Sequence, residues 1–260
     1  MSAVVDLVIV ERQGDIAVLT LNRPEARNAM NAALADATVN AIGSAQDARA
    51  IVLTGADPAF CAGLDLRSLG VEHLASLAGF IAAASQSEVP LIAAVNGAAV
   101  TGGLELALAC DFIVASQEAR FADTHLRVGV YPGPVLVELP RRVGMAWARE
   151  MSLTGNFVDA DTALRIGLAN HVVPHADLLP AAMALAEAIA EQDPRMVRAM
   201  RQDWDTTDRL PLDAAHRSHL ETARRQGFTS VTGTDIASHH DEVVRRARTH
   251  ASPGADDRGA

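Results

Sequence analysis

The carboxylate of Glu105 lies among apolar residues, two positions after a pair of glycines. Residues 97–111 read GAAVTGGLELALACD, in which Glu105 is surrounded by Leu, Ala and Cys. The apolar side chains fall on all sides of a helical wheel, which predicts a helix buried on every face. Because an unpaired buried carboxylate is costly, Glu105 is a candidate proton acceptor for chemistry. The alternative is that its charge only complements the positive end of its own helix.

The two glycines before Glu105 could hold an oxygen atom that gains negative charge. A strand that runs into Thr101-Gly102-Gly103 and then into a helix leaves backbone N–H groups unpaired at the helix N-terminus. These groups and the helix dipole stabilise a developing oxyanion, and glycine lets a ligand approach closely. Near the third helical position, Glu105 would lie beside that oxyanion, with a pKa raised by the apolar surroundings and lowered by the dipole.

A second loop, PAFCAGLDL at residues 58–66, offers further backbone donors after a predicted strand. Together with the loop at Gly102 it could hold one carbonyl oxygen from two sides, although the same letters also fit an ordinary buried turn. Cys61 within this loop has no histidine or other base nearby in the sequence, and apolar neighbours keep a thiol protonated. Cys61 is therefore expected to be a packed core residue rather than a nucleophile.

The overall composition argues against several functional classes. The chain has 260 residues, of which 49% are hydrophobic, and a formal net charge of -10. That length and composition suit a full-sized core, and the negative charge argues against binding to nucleic acid or to anionic membranes. All 22 basic residues are arginine, so a Schiff-base lysine and a P-loop lysine are both excluded.

The expected compartment is the cytoplasm. Cys61 and Cys110 lie outside any Cys-x-x-Cys pattern and cannot form a disulfide framework, which is typical of a reducing compartment. The N-terminal residues lack the basic segment of a signal peptide. The longest apolar region, 91–115, is interrupted by polar residues and glycines too often for a membrane span, so no span is expected.

Alternating strand and helix patterns in the first half predict an α/β fold, in which functional groups lie in loops that follow strands. The predicted elements are a strand hairpin at 6–12 and 16–22, a helix at 31–45, a strand at 48–55, a mainly helical stretch to Ser87, a strand at 89–97, the helix of Glu105, and extended segments at 110–117 and 119–125. From residue 180 the pattern changes to successive helices. The predicted organisation is a core over 1–198, a helical region over 199–251 and a disordered tail over 252–260.

As a set, these segments resemble the crotonase superfamily, the enoyl-CoA hydratases and isomerases. The similarity extends from about Val8 to the C-terminal helices, through segments in the family's order: RPEARNAMN, AIVLTG, PAFCAGLDL, PLIAAVNGAAVTGGLELALACD, ARFADTHLRVGVYPG, RRVG, LTG and ALRIGLANHVV. The resemblance implies a crotonase-like spiral of ββα units with a C-terminal helical region that builds homotrimers, often paired into hexamers. It also implies an acyl-CoA thioester as substrate, with no cofactor besides the coenzyme A of that substrate.

The resemblance assigns roles to individual residues. The N–H groups of Leu64 and Gly102 match the family's oxyanion hole, and the thioester oxygen would lie between them. Glu105 matches the first of the two hydratase glutamates, which agrees with its interpretation from the residues alone. The segment that matches the site for the adenine end of coenzyme A comprises Ala62, Asp65, Leu66 and Arg67.

One position departs from the family pattern. The second hydratase glutamate falls four residues after the phenylalanine that is here Phe121, and His125 occupies that place. Histidine can donate or accept a proton near neutral pH, so His125 is either an acid or base of the reaction or a residue that only shapes the pocket. Asp123, two residues earlier, is expected to face elsewhere if the segment is extended.

The favoured function is hydration of a 2-enoyl-CoA, with Glu105 as base and His125 as acid. Isomerisation of the double bond is the runner-up, since Glu105 as sole base could remove a proton and return it one carbon along. A third hypothesis is an acyl-CoA-binding protein in which His125 has weakened catalysis. A serine hydrolase is excluded because the sequence has no Gly-x-Ser-x-Gly motif. The histidines lack the His-Glu-x-x-His pattern of a helical zinc site, so no metal is expected.

Overall fold

A computed structural model describes residues 6–67, 79–208, 210–228, 240 and 244. Its strands are β1 (Val8–Gln13), β2 (Ile16–Leu21), β3 (Ala50–Gly55), β4 (Ala59–Cys61), β5 (Leu91–Val95), β6 (Ala98–Val100), β7 (Phe112–Ser116), β8 (Arg120–Ala122), β9 (Val158–Asp159) and β10 (His171–Val173). Its α-helices are α1 (Ala32–Ser44), α2 (Gly79–Ser85), α3 (Gly102–Leu108), α4 (Val135–Val143), α5 (Met145–Thr154), α6 (Ala160–Arg165), α7 (Leu178–Ala190), α8 (Pro194–Thr207) and α9 (Leu212–Arg225). Short 3-10 helices lie at Pro24–Ala26, His125–Val128 and His175–Asp177.

The strands form two sheets. The first has the order β1-β2-β3-β5-β7-β10, in which β1 is antiparallel to β2 and the other neighbours are parallel. The second has the order β4-β6-β8-β9 and is parallel except for the pair of β8 and β9. The chain passes repeatedly from the first sheet to the second and then into a helix, as in β3-β4-α2 and β5-β6-α3. The predicted α/β class and its ββα repeat are therefore confirmed.

The first sheet is covered on both faces, which explains why its strands read as continuous apolar runs. On β2, Leu19 and Leu21 belong to one apolar cluster, whereas Ile16 and Val18 on the opposite face belong to a second. Helix α7 completes the second cluster through Leu178, Ala182, Met183 and Ala186. Glu105 lies on α3, and the apolar residues of α3 are all buried, as its sequence pattern predicts.

The strands that lead into the two glycine loops differ from those that the sequence predicts. The predicted strand at 89–97 ends at Val95, and the three-residue strand β6 then leads to Gly102. In the other loop, β4 occupies part of a segment that is predicted to lack a strand. Because β4 and β6 are neighbouring parallel strands, their loops leave the second sheet at the same edge.

The chain forms two compact units, Met1–Arg198 and Ala199–Ala260. In the second unit the described residues comprise the end of α8 and the whole of α9. The remainder of the predicted helical region after residue 228, apart from residues 240 and 244, and the predicted disordered tail at 252–260 lie outside the described residues. None of the described helices has the length and apolar character needed to cross a membrane.

Candidate active site

The two glycine loops lie in direct contact. Gly63 has a φ angle of 95°, and a Cβ atom at this position would lie 2.1 Å from Oγ1 of Thr101. A Cβ atom at Gly103 would lie 2.0 Å from the carbonyl oxygen of Cys61. Both distances are far below a normal van der Waals contact, so the two loops can approach this closely only with glycine at both positions.

The N–H groups of Leu64 and Gly102 are available for a ligand. Neither of them donates a hydrogen bond within the part of the chain that the structure describes. Met30 fixes the backbone on either side of Leu64, because its N–H donates to the carbonyl of Gly63 at 2.7 Å and its carbonyl accepts from the N–H of Asp65 at 2.8 Å. The backbone of Leu64 is thereby held in place while its own N–H group is left over.

A strained residue positions Gly102. Thr101 has φ 48° and ψ -112°, a conformation that costs a β-branched residue on the order of 1–3 kcal/mol and persists where surrounding contacts impose it. Its N–H donates to the carbonyl of Ala122 at 2.9 Å, which holds this turn. A Cβ atom on Gly102 would lie 3.8 Å from Cδ2 of Leu64 and 4.0 Å from Cα of Gly63. The two candidate oxyanion donors therefore belong to adjacent residues in space.

A buried asparagine supports the first loop. The Asn28 side chain donates to the carbonyl oxygens of Ala56 and Ala59 at 2.8 and 2.6 Å, which ties residues 23–31 to the start of β4. The N–H of Ala62 in turn donates to the carbonyl of Arg27 at 3.1 Å. The segment RPEARNAMN thus supports the loop that presents Leu64.

The side chain of Asp65 is paired within the protein. Its Oδ2 lies 2.7 Å from the Arg23 guanidinium, and its Oδ1 accepts from the N–H of Arg67 at 3.0 Å. The Arg23 hydrogen bond, followed by that from Arg67, holds the pKa of Asp65 below its ordinary value. Leu66 and Arg67 are exposed, so the predicted adenine-binding segment has one internally paired side chain and two that are open to solvent.

A cavity of about 80 Å³ lies against the two loops. Its lining residues are Ala62, Leu64, Leu66, Thr101, Thr124, His125, Val128 and Val130. The structure thus brings His125 and three residues of the first loop to one small space. Glu105 is not among the lining residues. A larger cavity of about 430 Å³, between α5 and β9, contains none of the predicted site residues.

Glu105 is buried at the start of a different helix. Glu105 is only 6% exposed. Its Oε1 accepts a hydrogen bond at 3.1 Å from the N–H of Val135, the first residue of α4. Burial raises the pKa of Glu105 above its ordinary value, against the opposing influence of the Val135 N–H and the charge of His125. No arginine pairs with Glu105 among the described residues. The charge of Glu105 therefore complements the dipole of α4. Its carboxylate also binds a proton more readily than an exposed carboxylate does.

The expectation that Asp123 faces away from His125 is wrong. Oδ1 of Asp123 lies 2.6 Å from Nδ1 of the His125 ring and also accepts from the His125 backbone N–H at 3.3 Å. The extended segment ends at Ala122, and a 3-10 helix begins at His125. Residues two apart share a face of an extended strand but stand about 7 Å apart, and the turn at Thr124 brings the two side chains closer, into hydrogen-bond contact.

The Asp123–His125 pair favours its charged form. Burial by itself would lower the pKa of His125, but the hydrogen bond with Asp123 and the charges of Glu105 and Asp123 outweigh it and raise that pKa. Burial would likewise raise the pKa of Asp123, but the hydrogen bonds that its carboxylate accepts, chiefly from His125, lower it. Because Nδ1 is engaged by Asp123 and His125 lines the cavity, Nε2 is the ring nitrogen left for a ligand.

Comparison with known proteins decides the family. A sequence profile of the enoyl-CoA hydratase/isomerase family matches residues 11–233. This chain belongs to the enoyl-CoA hydratase/isomerase family. It is 36% identical over 234 residues to a probable peroxisomal enoyl-CoA hydratase of Arabidopsis thaliana, covering 86% of this chain and 88% of the relative. It is 41% identical over 194 residues to a probable enoyl-CoA hydratase of Rhizobium meliloti, covering 71% of this chain and 76% of the relative.

The crotonase fold is confirmed by solved structures of the enoyl-CoA hydratase/isomerase family. A crystal structure of an enoyl-CoA hydratase from Bacillus anthracis superposes with a TM-score of 0.84 at 28% identity, covering 91% of this chain and 96% of the other. A Mycobacterium avium enoyl-CoA hydratase shares 42% identity, with a TM-score of 0.72 and coverage of 86% and 100%.

The thiol of the first loop is part of the core. Cys61 is fully buried, and burial raises the pKa of its thiol to about 12, so it is a packed core residue as predicted. Within the described ranges no three His, Cys, Asp or Glu side chains are grouped as metal ligands.

Sequence reasoning missed three features of this candidate site. The first is the pairing of Asp123 with His125, which the Asp-Thr-His spacing allows because residues two apart lie on the same side of an extended segment. Asn28 has a φ of 54°, a conformation that asparagine tolerates better than most residues, which is the one local signal of its role. The third feature is the N-terminus of α4, for which Pro-Gly-Pro before an apolar run is a recognisable start signal.

Proposed function

We propose that this protein adds water across the double bond of a 2-enoyl-CoA thioester. The observation that carries the proposal is the pair of unpaired N–H groups on Leu64 and Gly102, held on two touching loops beside a cavity. Such a pair is suited to a carbonyl oxygen that gains negative charge during reaction. The buried carboxylate of Glu105 and the imidazole of His125 supply two groups that can move protons. Several relatives that carry the hydratase name share most of the chain length.

The proposed reaction uses these groups in a fixed order. The two N–H groups polarise the thioester carbonyl, which makes the β-carbon electrophilic. Glu105 accepts a proton from water as the water oxygen bonds to that carbon, and the electron pair of the double bond moves onto the thioester as an enolate. The imidazolium of His125 gives its Nε2 proton to the α-carbon. Glu105 then releases its proton to solvent and His125 takes one up, which restores the starting state.

An assay with two substrates tests the proposed function. The purified protein is given crotonyl-CoA and, separately, a 3-enoyl-CoA, and water addition is followed apart from migration of the double bond. We expect hydration of crotonyl-CoA. Isomerisation of the 3-enoyl-CoA without hydration would favour the second candidate, which the exchange of the second glutamate for His125 supports because it leaves Glu105 as the single family carboxylate. Binding without either reaction would favour a protein that only binds acyl-CoA.

Replacement of His125 by Gln is expected to lower kcat for hydration by about a hundredfold, because glutamine cannot deliver a proton to the α-carbon. Steady-state kinetics with crotonyl-CoA measure this loss. The matched control is His175→Gln, since His175 also pairs with an aspartate, Asp57, but does not line the cavity of His125. An unchanged kcat in His125→Gln would show that the ring only shapes the pocket.

The dependence of kcat/KM on pH is expected to be bell-shaped, with both limbs at higher pH than the ordinary pKa values of glutamate and histidine would give. Glu105 must be deprotonated to act as base, so the rate falls as pH drops through a pKa that burial raises above 4.5. His125 must be protonated to act as acid, so the rate falls as pH rises through a pKa that Asp123 and Glu105 raise above 6.5 against the effect of burial. A rate that still climbs above the pKa of His125 would mean that the ring acts as a base.

The proposed function extends to the partners, the assembly and the compartment of the protein. An acyl-CoA is the proposed partner, with no resident cofactor and no nucleic acid, in keeping with the net charge of -10. A homotrimer or a hexamer is proposed from the family resemblance and from exposed apolar side chains on α8 and α9, such as Trp204 and Leu212. The cytoplasm is the proposed compartment because two buried cysteines outside any Cys-x-x-Cys pattern are typical of a reducing compartment.

A further inference from the structure

Asp123 is a buried carboxylate whose strongest hydrogen bond is with the His125 ring, followed by one with the side chain of Ser152. Its residue is 1% exposed, and the ion pair it forms is with His125. Its Oδ1 forms hydrogen bonds with two groups of His125, the ring Nδ1 and the backbone N–H. A carboxylate placed in such surroundings is stabilised only by partners that donate to it. Both of these donors come from the residue that lines the cavity.

A second aspartate–histidine pair in the same unit, Asp57 and His175, has both ring nitrogens in contact with the protein. Nε2 of His175 lies 3.2 Å from Oδ2 of Asp57, and its Nδ1 lies 3.1 Å from Oγ of Ser116. Both ring nitrogens of His175 therefore contact the protein, and neither is left for a ligand. His125 differs because its one hydrogen-bonded ring nitrogen contacts Asp123, while the ring lines the cavity beside Leu64.

We propose that Asp123 is a positioning residue that fixes the ring of His125 with Nδ1–H toward the carboxylate and Nε2 toward the cavity. The proposal rests on the proposed function, since it makes the Asp123–His125 pair the acid that replaces the second glutamate of the hydratases. A carboxylate at Nδ1 has two consequences for a neighbouring reaction. It selects one tautomer of the neutral ring, and it stabilises the imidazolium that must donate the proton. The charged groups that act on this ring are Asp123 and Glu105.

The first test reads the ring directly and needs no substrate. Nitrogen-15 NMR of the histidine side chains, with the His125 signals assigned by their absence in His125→Gln, gives both the tautomer and the titration of this ring. In the native protein we expect the neutral ring to carry its proton on Nδ1. In Asp123→Asn the His125 pKa is expected to fall, because burial is then less opposed. A neutral ring that carries its proton on Nε2 in the native protein would overturn the proposal, even if Asp123→Asn failed to fold.

The second test reads catalysis. Asp123→Asn is expected to lower kcat about a hundredfold with little change in KM, and to move the alkaline limb of the pH profile to lower pH. In a His125→Gln background the same substitution is expected to change kcat less than about twofold, because the two residues act as a unit. Asp57→Asn is the matched control and is expected to leave kcat unchanged.

The outcomes separate this proposal from the proposed function. An equal loss of rate from Asp123→Asn in both backgrounds would show a general structural role and overturn the proposal. Unchanged kcat together with an unchanged His125 pKa would also overturn it. If the native protein hydrates no enoyl-CoA, the proposed function fails, while the tautomer and titration of His125 still decide whether Asp123 positions the ring.

Discussion

Replacement of Glu105 by Gln is expected to reduce hydration by about a thousandfold while binding of a CoA thioester stays nearly intact. Glutamine has the size of glutamate, and its amide oxygen can still accept the hydrogen bond from the N–H of Val135, so the start of α4 keeps its partner. It cannot accept the proton that water must lose as its oxygen bonds to the β-carbon. Removal of a general base typically lowers a rate by about 10²–10⁴-fold.

Two measurements separate the loss of a base from the loss of a fold. Calorimetric titration with a 3-hydroxyacyl-CoA measures binding, and thermal unfolding measures stability. Glu138→Gln is the matched control, because Glu138 lies on α4 with a partly exposed side chain and is expected to leave both rate and stability unchanged. Turnover retained in Glu105→Gln would refute the role of Glu105 as base.

Replacement of Gly63 by Ala is expected to lower kcat by about 10²–10³-fold, the effect typical of losing one oxyanion donor. The new Cβ atom would lie 2.1 Å from Oγ1 of Thr101 and 2.8 Å from the carbonyl oxygen of Val100, at a φ of 95° that disfavours alanine. The loops must move apart to accept it. Because the next residue is Leu64, its N–H group moves away from Gly102 as they do.

The control for this variant is another glycine to alanine exchange. A Cβ atom on Gly43, an exposed residue of α1, would meet no atom within 4 Å. Gly43→Ala is expected to keep full activity and to raise stability by up to about 1 kcal/mol, since alanine favours a helix more than glycine does. Far-ultraviolet circular dichroism checks that Gly63→Ala remains folded. Full activity in a folded Gly63→Ala protein would show that the placement of Leu64 is unimportant.

The features that sequence could predict are those with a strong local pattern. Continuous apolar runs predicted the central strands because both faces of the first sheet are covered. The apolar surroundings of Glu105 predicted its burial, since every neighbour on α3 is a core residue. The sequence places the glycines at 63 and 103 in loops. The contact between these loops depends on β4 and β6, and strands of only three residues are too short to show a periodic pattern.

The features that sequence could not predict depend on contacts between distant segments. The partner of Glu105 is the N–H of Val135, thirty residues away, and nothing around Glu105 indicates which helix will begin beside it. The partnership of Asp123 with His125 depends on the end of β8 at Ala122, a boundary set by pairing with β6 and β9 rather than by the local residues. A longer strand would have kept the two side chains on one face but farther apart along the strand.

The most direct measurement is the infrared carbonyl band of a crotonyl-CoA labelled with carbon-13 at the thioester carbon and bound to Glu105→Gln, in which turnover is suppressed. If the N–H groups of Leu64 and Gly102 both donate to the thioester oxygen, the bound band lies at lower frequency than in water, and Gly63→Ala in the same background reverses most of that shift. A bound band at the frequency found in water, or above it, would contradict the account.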